Sequence, residues 1–346
     1  DSKRISLLEA DRTLYQGYAG AAQNGYNTGQ GGGGSGSVGS QGTGSTDGGN
    51  GGSGTTSDIS GTNVIYAVGG GGGGGFTSTS TGGTGSADGG GKGAYATSGT
   101  AVQATAGTTN RGNGGGGGNW DSLSNQNGAG GGSGIVILRF TTSGNGYGQA
   151  GGTVTTSGSD TIISWTATSG TRTFTPTSAF DVRYLVVAGA GGGGRNAGGA
   201  GGAGGLLQGT GHAVTAQSYT ITVGAGGAGQ TSNYTDPGAS GVNSVFDSLT
   251  SIGGGGGASD GNPGISGGSG GGSSRDTSAG GGSGGTGTSS DVPLPTNVQD
   301  NSILVEKDTG RRYWFDEATA VTLSDDFSSD NWTDVGSNGV TGGHLQ

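Results

Sequence analysis

Residues 63–75 read NVIYAVGGGGGGG, an apolar run of strand length that passes without a break into seven glycines. The same join recurs along the chain. VRYLVV at 182–187 leads into AGAGGGG, YTITV at 219–223 into GAGGAG, and VNSVFDSLTSI at 242–252 into five more glycines. Glycine makes up 94 of the 346 residues. Each one loses about 0.5–1 kcal/mol more than alanine on entering regular structure. Either these tracts stay flexible, or an architecture requires that side chains be missing.

Collagen is excluded, since it needs glycine at every third position and abundant proline; this chain has five prolines, and its glycine runs break any such frame. A flexible Gly/Ser linker does not carry strands embedded at intervals. What remains is a left-handed helix of three residues per turn, whose N–H and C=O groups point outward and must find partners when buried. Without side chains, such helices can approach closely and bond laterally, as a polyglycine II bundle. GGAGGAGG at 198–205 fits the three-residue period and places Ala200 and Ala203 on one edge. The alternative is a set of β units with flexible glycine loops. The leading expectation is mainly β: short β units capping or joining polyglycine II helices in an elongated, fibre-like architecture.

Working outward, residues 1–23 are expected to form one short amphipathic helix packed on a neighbour, through Ile5, Leu7, Leu8, Leu14, Tyr15 and Tyr18. The alternative is a coiled-coil start, for which Ile5, Leu8 and Tyr15 share a heptad seam that Arg12 interrupts. A first glycine-rich unit covers 24–145 and closes on GIVILRF (134–140), a run of the kind buried on both faces. A β region and a second glycine-rich unit occupy 146–290, with TIISWTA (161–167) and TRTFT (171–175) expected to pair as a tight hairpin. Residues 291–346 hold a hairpin of 303–306 against 311–315 and the start of a further β unit. The two strand-then-polyglycine joins near 63 and 242 read as an imperfect internal repeat. The start at Asp1 and the ending inside a unit are expected of a processed chain or a fragment.

Hydrophobic residues make up only 27%, so a large conventional core is not available. The net charge of −10 comes with scattered cations, which argues against nucleic acid as a partner. No stretch reaches the roughly 20 apolar residues of a membrane helix, so membrane insertion is not expected. Cysteine is absent, which removes thiol and disulfide chemistry.

The chemical motifs fail on context. Residues 189–194 match G-x-G-x-x-G after a strand, but RNAGGAGGAGG cannot supply the helix that aims at a pyrophosphate. Lys92 lacks the Ser/Thr of a phosphate-binding loop. His212 and His344 are too few for a zinc site. His212 also reads as a polar-loop residue with no acid near it, and Asp325-Asp326 reads as a solvated turn. No catalytic residue, metal site or cofactor is expected, and the chain is not read as an enzyme. The better lead is four aromatics that interrupt Gly/Ser/Thr-rich sequence: Phe76, Tyr95, Trp120 and Tyr234. Aromatics of this kind stack on sugars or fill pockets on a protein receptor.

VRYLVVAGAGGGG (182–194), GGLLQGTG (204–211), YTITVGAGGAG (219–229), NSVFDSLTSIGGGGG (243–257) and GIVILRF (134–140) together resemble the glycine-rich domain of bacteriophage tail fibres and adhesins. LPTNVQDNSILVEKDTGRRYWFD and SDDFSSDNWTD are similar to segments beside such domains. The resemblance spans about 60–335. It implies an extracellular virion component, commonly a homotrimer, that joins other tail proteins and attaches to a bacterial surface polysaccharide or outer-membrane protein. The alternative is a structural virion decoration or filament subunit without a receptor.

Overall fold

The computed structural model describes residues 16–23, 27–44, 46–75, 80–85, 89–97, 100–119, 126–232, 235–260, 262–275 and 281–285, with the strands at 303–305, 312–316 and 319–323. The protein is mainly β. The chain divides into two compact units, Arg12–Ser289, and Asp1–Asp11 with Ser290–Gln346.

In the larger unit the strands are β1 (Thr55–Ser57), β2 (Val64–Tyr66), β3 (Tyr95–Thr97), β4 (Thr100–Val102), β5 (Ile135–Thr141), β6 (Tyr147–Ala150) and β7 (Thr153–Ser157). They continue with β8 (Asp160–Trp165), β9 (Thr173–Pro176), β10 (Phe180–Val187), β11 (Leu206–Val214), β12 (Tyr219–Thr222), β13 (Ser244–Phe246) and β14 (Leu249–Ser251). Two antiparallel five-stranded sheets, ordered β11-β10-β5-β8-β7 and β14-β13-β12-β9-β6, face each other. Period-2 alternation sorts the side chains of β5. Val136, Leu138 and Phe140 enter the core between the sheets, where they meet Trp165, Phe174, Val186, Ile221 and Phe246. Ile135 and Ile137 point to the other face, where they cluster with Ile59 and Tyr66 and with Leu185 of the adjoining strand. GIVILRF is therefore buried on both faces. Burying each large apolar side chain contributes about 1.5–3 kcal/mol, and Phe140 adds ring contacts to Tyr147 (5.1 Å), Phe174 (5.7 Å) and Phe180 (5.1 Å).

Two expected strand arrangements are corrected. β8 does not pair with β9; it lies between β5 and β7, with its tight turn at Gly158-Ser159, where Gly158 has φ 61°. Residues 166–172 instead cross between the sheets. This lets wholly buried Trp165 and Phe174 meet edge to face at 6.3 Å inside the shared core. Residues 242–252 form the β13–β14 hairpin, pairing Phe246 with Leu249. Asp247 (φ 51°) takes the left-handed turn position that Asp tolerates better than most side chains.

The glycine segments are neither α-helix nor strand, yet their backbone is paired. From Gly189 onward the donors rotate among three neighbours with a period of three. Gly189 and Gly192 donate to Val242 and Ala239, Ala190 and Gly193 to Gly132 and Ala129, and Gly191 and Gly194 to Gly202 and Gly199. The carbonyls do the same: Gly254 and Gly257 bond to Gly189 and Gly192, Gly227 and Gln230 to Ala190 and Gly193, and Gly115 and Gly118 to Gly191 and Gly194. Segment 189–194 thus touches six surrounding segments through bonds of 2.7–3.0 Å. Segment 198–203 repeats the scheme, and its alanines share one neighbour: Ala200 donates to Gln30 and Ala203 to Gly33. The closeness explains the glycines. A β-carbon at Gly191 would stand 2.1 Å from the Gly255 carbonyl oxygen.

The expected N-terminal helix is corrected where it is described. Residues 16–23 hold no helix; Tyr18 and Ala21 instead donate to Gly34 and Gly31, three residues apart on an antiparallel neighbour. Residues 1–15 lie outside the described residues. In the smaller unit, β15 (Ile303–Val305), β16 (Arg312–Asp316) and β17 (Thr319–Leu323) form an antiparallel sheet in that order. The expected pairing of 303–306 with 311–315 is present as β15 with β16.

Candidate binding surface

The strand registers set the direction of each glycine segment. Segment 188–194 leaves the sandwich from β10, 223–230 from β12 and 252–259 from β14, and their mutual bonds run in parallel register. Segment 113–119 runs alongside, through Gly115 to Gly191 and Gly118 to Gly194. Segments 198–205, 238–242 and 126–132 return antiparallel to them. Segment 69–75 also runs outward, since Gly114 and Gly117 donate to Val68 and Gly71 in parallel register. The connections after these outward segments therefore begin at the end opposite the sandwich.

This bears on Tyr95. Tyr95 opens the β3–β4 hairpin at that end, half-buried and paired with Val102; the preceding segment runs parallel to 71–74 through Gly71 to Gly91 and Gly74 to Ala94. Phe76, Trp120 and Tyr234 lie outside the described residues. Among their described neighbours, Gly75 and Asn119 end outward segments, and Ser232 follows the one that ends at Gln230.

A polar network joins the connections after 188–194 and 252–259 to Arg275. The Arg275 guanidinium donates to both Asp260 carboxylate oxygens, Nε to Oδ1 at 3.1 Å and Nη2 to Oδ2 at 2.7 Å. Asn196 Nδ2 donates to the same Oδ2 at 2.9 Å, and the Arg195 N–H donates to Ser259 Oγ at 2.9 Å. Asn196 and Ala197 take φ of 65° and 49°, a costly conformation for side-chain-bearing residues. It reverses the chain within three residues.

The profile of the glycine-rich domain family matches residues 166–344. The chain belongs to that family. No curated protein and no solved structure matches it. The glycine-rich domain begins one residue after Trp165, so its match includes β9, β10 and the outward segments leaving β10, β12 and β14.

His212 is a further correction. It lies on β11, not in a polar loop, and its Nε2 stands 3.1 Å from Asp247 Oδ2. Rings of Tyr184 (5.7 Å) and Phe246 (5.3 Å) flank it. The pair ties β11 of one sheet to the β13–β14 turn of the other, a structural stitch that a separation of 35 positions hides from sequence. The G-x-G-x-x-G stretch, 189–194, is the bonded segment described above; at 195–197 it turns back, with no helix after it. Asp325-Asp326 and His344 lie outside the described residues. The charged network at Asn196, Asp260 and Arg275 was missed in the sequence. Its one signal is that charged and amide side chains occupy the places where the glycine runs stop.

Proposed function

We propose that the chain is a segment of a phage tail fibre or adhesin, in which polyglycine II helices hold receptor-binding connections at the end away from the sandwich. The observation that carries this reading is the period-three rotation of hydrogen bonds among six neighbours. A helix of three residues per turn sends successive N–H groups out about 120° apart, which is the geometry such bonding requires. A bonded bundle makes a stiff platform, and recognition residues sit most often on connections held by a rigid scaffold. Tyr95 lies at that end, and in the sequence Phe76 follows Gly75, Trp120 follows Asn119 and Tyr234 follows the segment 223–230. The ligand on this reading is a bacterial surface polysaccharide or outer-membrane protein, and the setting is an extracellular virion, with the chain a homotrimer joined to other tail proteins.

The test is binding of the purified chain to a panel of bacterial strains. Replacing Trp120 and Tyr234 together by alanine is expected to abolish binding and leave the melting temperature unchanged. A folded chain that binds no strain and polymerises into long filaments would turn the reading to a structural virion or filament subunit.

A further inference from the structure

We infer that the chain carries a site for a neutral, hydroxyl-rich saccharide at the sandwich end, in the cleft between the β1–β2 connection and the outer face of β10 and β11. The cleft holds about 350 Å³, at the small end of the roughly 300–1,000 Å³ typical of small-molecule sites. Its polar wall is formed by Thr56, Asp58, Asn63, Arg183, Gln208 and Thr210.

The local fold builds this wall. Arg183 of β10 stands opposite Arg139 of β5, and like charges directly opposite each other repel. Each is therefore matched by an acid: Arg139 Nε to Asp160 Oδ2 at 2.8 Å, and Arg183 Nη2 to Asp58 Oδ1 at 2.6 Å. Arg139 Nη1 also donates to the Asp58 backbone carbonyl at 3.5 Å, holding the β1–β2 connection against the sheet. On the other side of Arg183 the ladder is bulged. Pairing jumps from Val182–His212 to Tyr184–Gly209, leaving Thr210 and Gly211 opposite one residue, and Gly211 takes φ 73°. Bulges of this kind re-aim side chains and occur beside functional sites.

As a stabiliser the Asp58–Arg183 pair does little, because exposed pairs contribute about 0–1 kcal/mol. Its geometry sets an acceptor beside a donor fork on an open wall. Adjacent sugar hydroxyls match that arrangement, donating to Asp58 while accepting from Arg183, and the amides of Asn63 and Gln208 extend it with a donor and an acceptor each. The charge balance selects among ligands. A uronate would meet the Asp58 carboxylate and compete with it for Arg183, and a cation would do the converse. Neutral saccharides incur neither cost.

The test is NMR-detected titration of the full chain with D-galactose, N-acetyl-D-glucosamine and maltose, with D-glucuronate as the anionic control. At least one neutral sugar is expected to shift resonances of the cleft, more tightly than glucuronate. Asp58→Asn should weaken it roughly tenfold, as for loss of one charge-assisted hydrogen bond. Gln208→Ala, a change at an exposed strand position, should also weaken it and serves if Asp58→Asn does not fold. The Trp120/Tyr234 double replacement should leave this titration unchanged, so failure at either end of the molecule is seen separately. No shift with any neutral sugar, tighter binding of glucuronate, or affinity untouched by both cleft variants would overturn the inference.

Discussion

The carbonyl oxygen of Gly255 stands 2.1 Å from the place a β-carbon on Gly191 would occupy. Both residues are backbone only, and the neighbour that must yield is itself held, since the Gly255 N–H donates to Ser269. Gly191→Ala is therefore expected to destabilise by about 1–3 kcal/mol, the usual cost of overpacking a tight interior. At Gly130 the nearest atom to such a β-carbon is the Gly227 oxygen at 3.4 Å. Gly130→Ala should stay within about 0.5 kcal/mol of the parent. Chemical denaturation of both variants checks the contrast, and equal effects would contradict the close-packed account.

Two buried serines should respond in opposite directions. Ser244 Oγ donates to the Val187 carbonyl at 2.8 Å and accepts the Gly224 N–H at 2.9 Å. Ser244→Ala strands that buried N–H and should cost about 1–3 kcal/mol. Ser273 Oγ is also buried but has no hydrogen-bond partner among the described residues. Ser273→Ala removes an unsatisfied hydroxyl and should be neutral or stabilising by up to about 1 kcal/mol. Thermal melts of the two variants decide it.

Acid titration should report the Asp58–Arg183 contact. The hydrogen bond from Arg183, followed by its charge, holds the Asp58 carboxyl below its ordinary value of 3.8. A lowered folded-state value means that the stabilisation is present above pH 3.8 and is lost as pH falls through the lowered value. Carboxyl carbon shifts followed by NMR should place the Asp58 midpoint below 3.8 in the parent chain. Arg183→Ala should move it upward. An unmoved midpoint would show that the contact does not persist in solution.

Amide exchange should separate bonded glycine from loop. The N–H groups of Gly191, Gly192 and Gly193 each donate to another segment and should exchange only on large-scale opening. Thr168, Ser169 and Gly170 lie exposed between β8 and β9, and should exchange within the dead time. Mass spectrometry on proteolytic fragments reads both regions.

Some of this was legible in the sequence. GIVILRF and VRYLVV announced the central strands through their unbroken apolar character, and Ala200 and Ala203 carried the three-residue period that their bonds to Gln30 and Gly33 display. The partners were not legible. A glycine run has no side-chain pattern to fix register, so nothing in 198–203 points to residues 30–33. The same distance hides Arg183 from Asp58, 125 positions apart, and Asn196 from Asp260, 64 apart. The β8–β9 expectation failed because local turn residues carry no information about which sheet a strand joins. Of the aromatic candidates, Tyr95 alone is described, and its location follows from the direction of the segment before it.

The rotation of donors through three neighbours also sets a rule of length. Removing one residue from within 189–194 would turn every later N–H by a third of a revolution and hand each bond to the wrong neighbour. Removing three would restore the assignments. A connection such as 195–197 carries no such phase. Segments of this chain are thus free to lengthen or shorten only in steps of three, whereas the turns between them can vary one residue at a time.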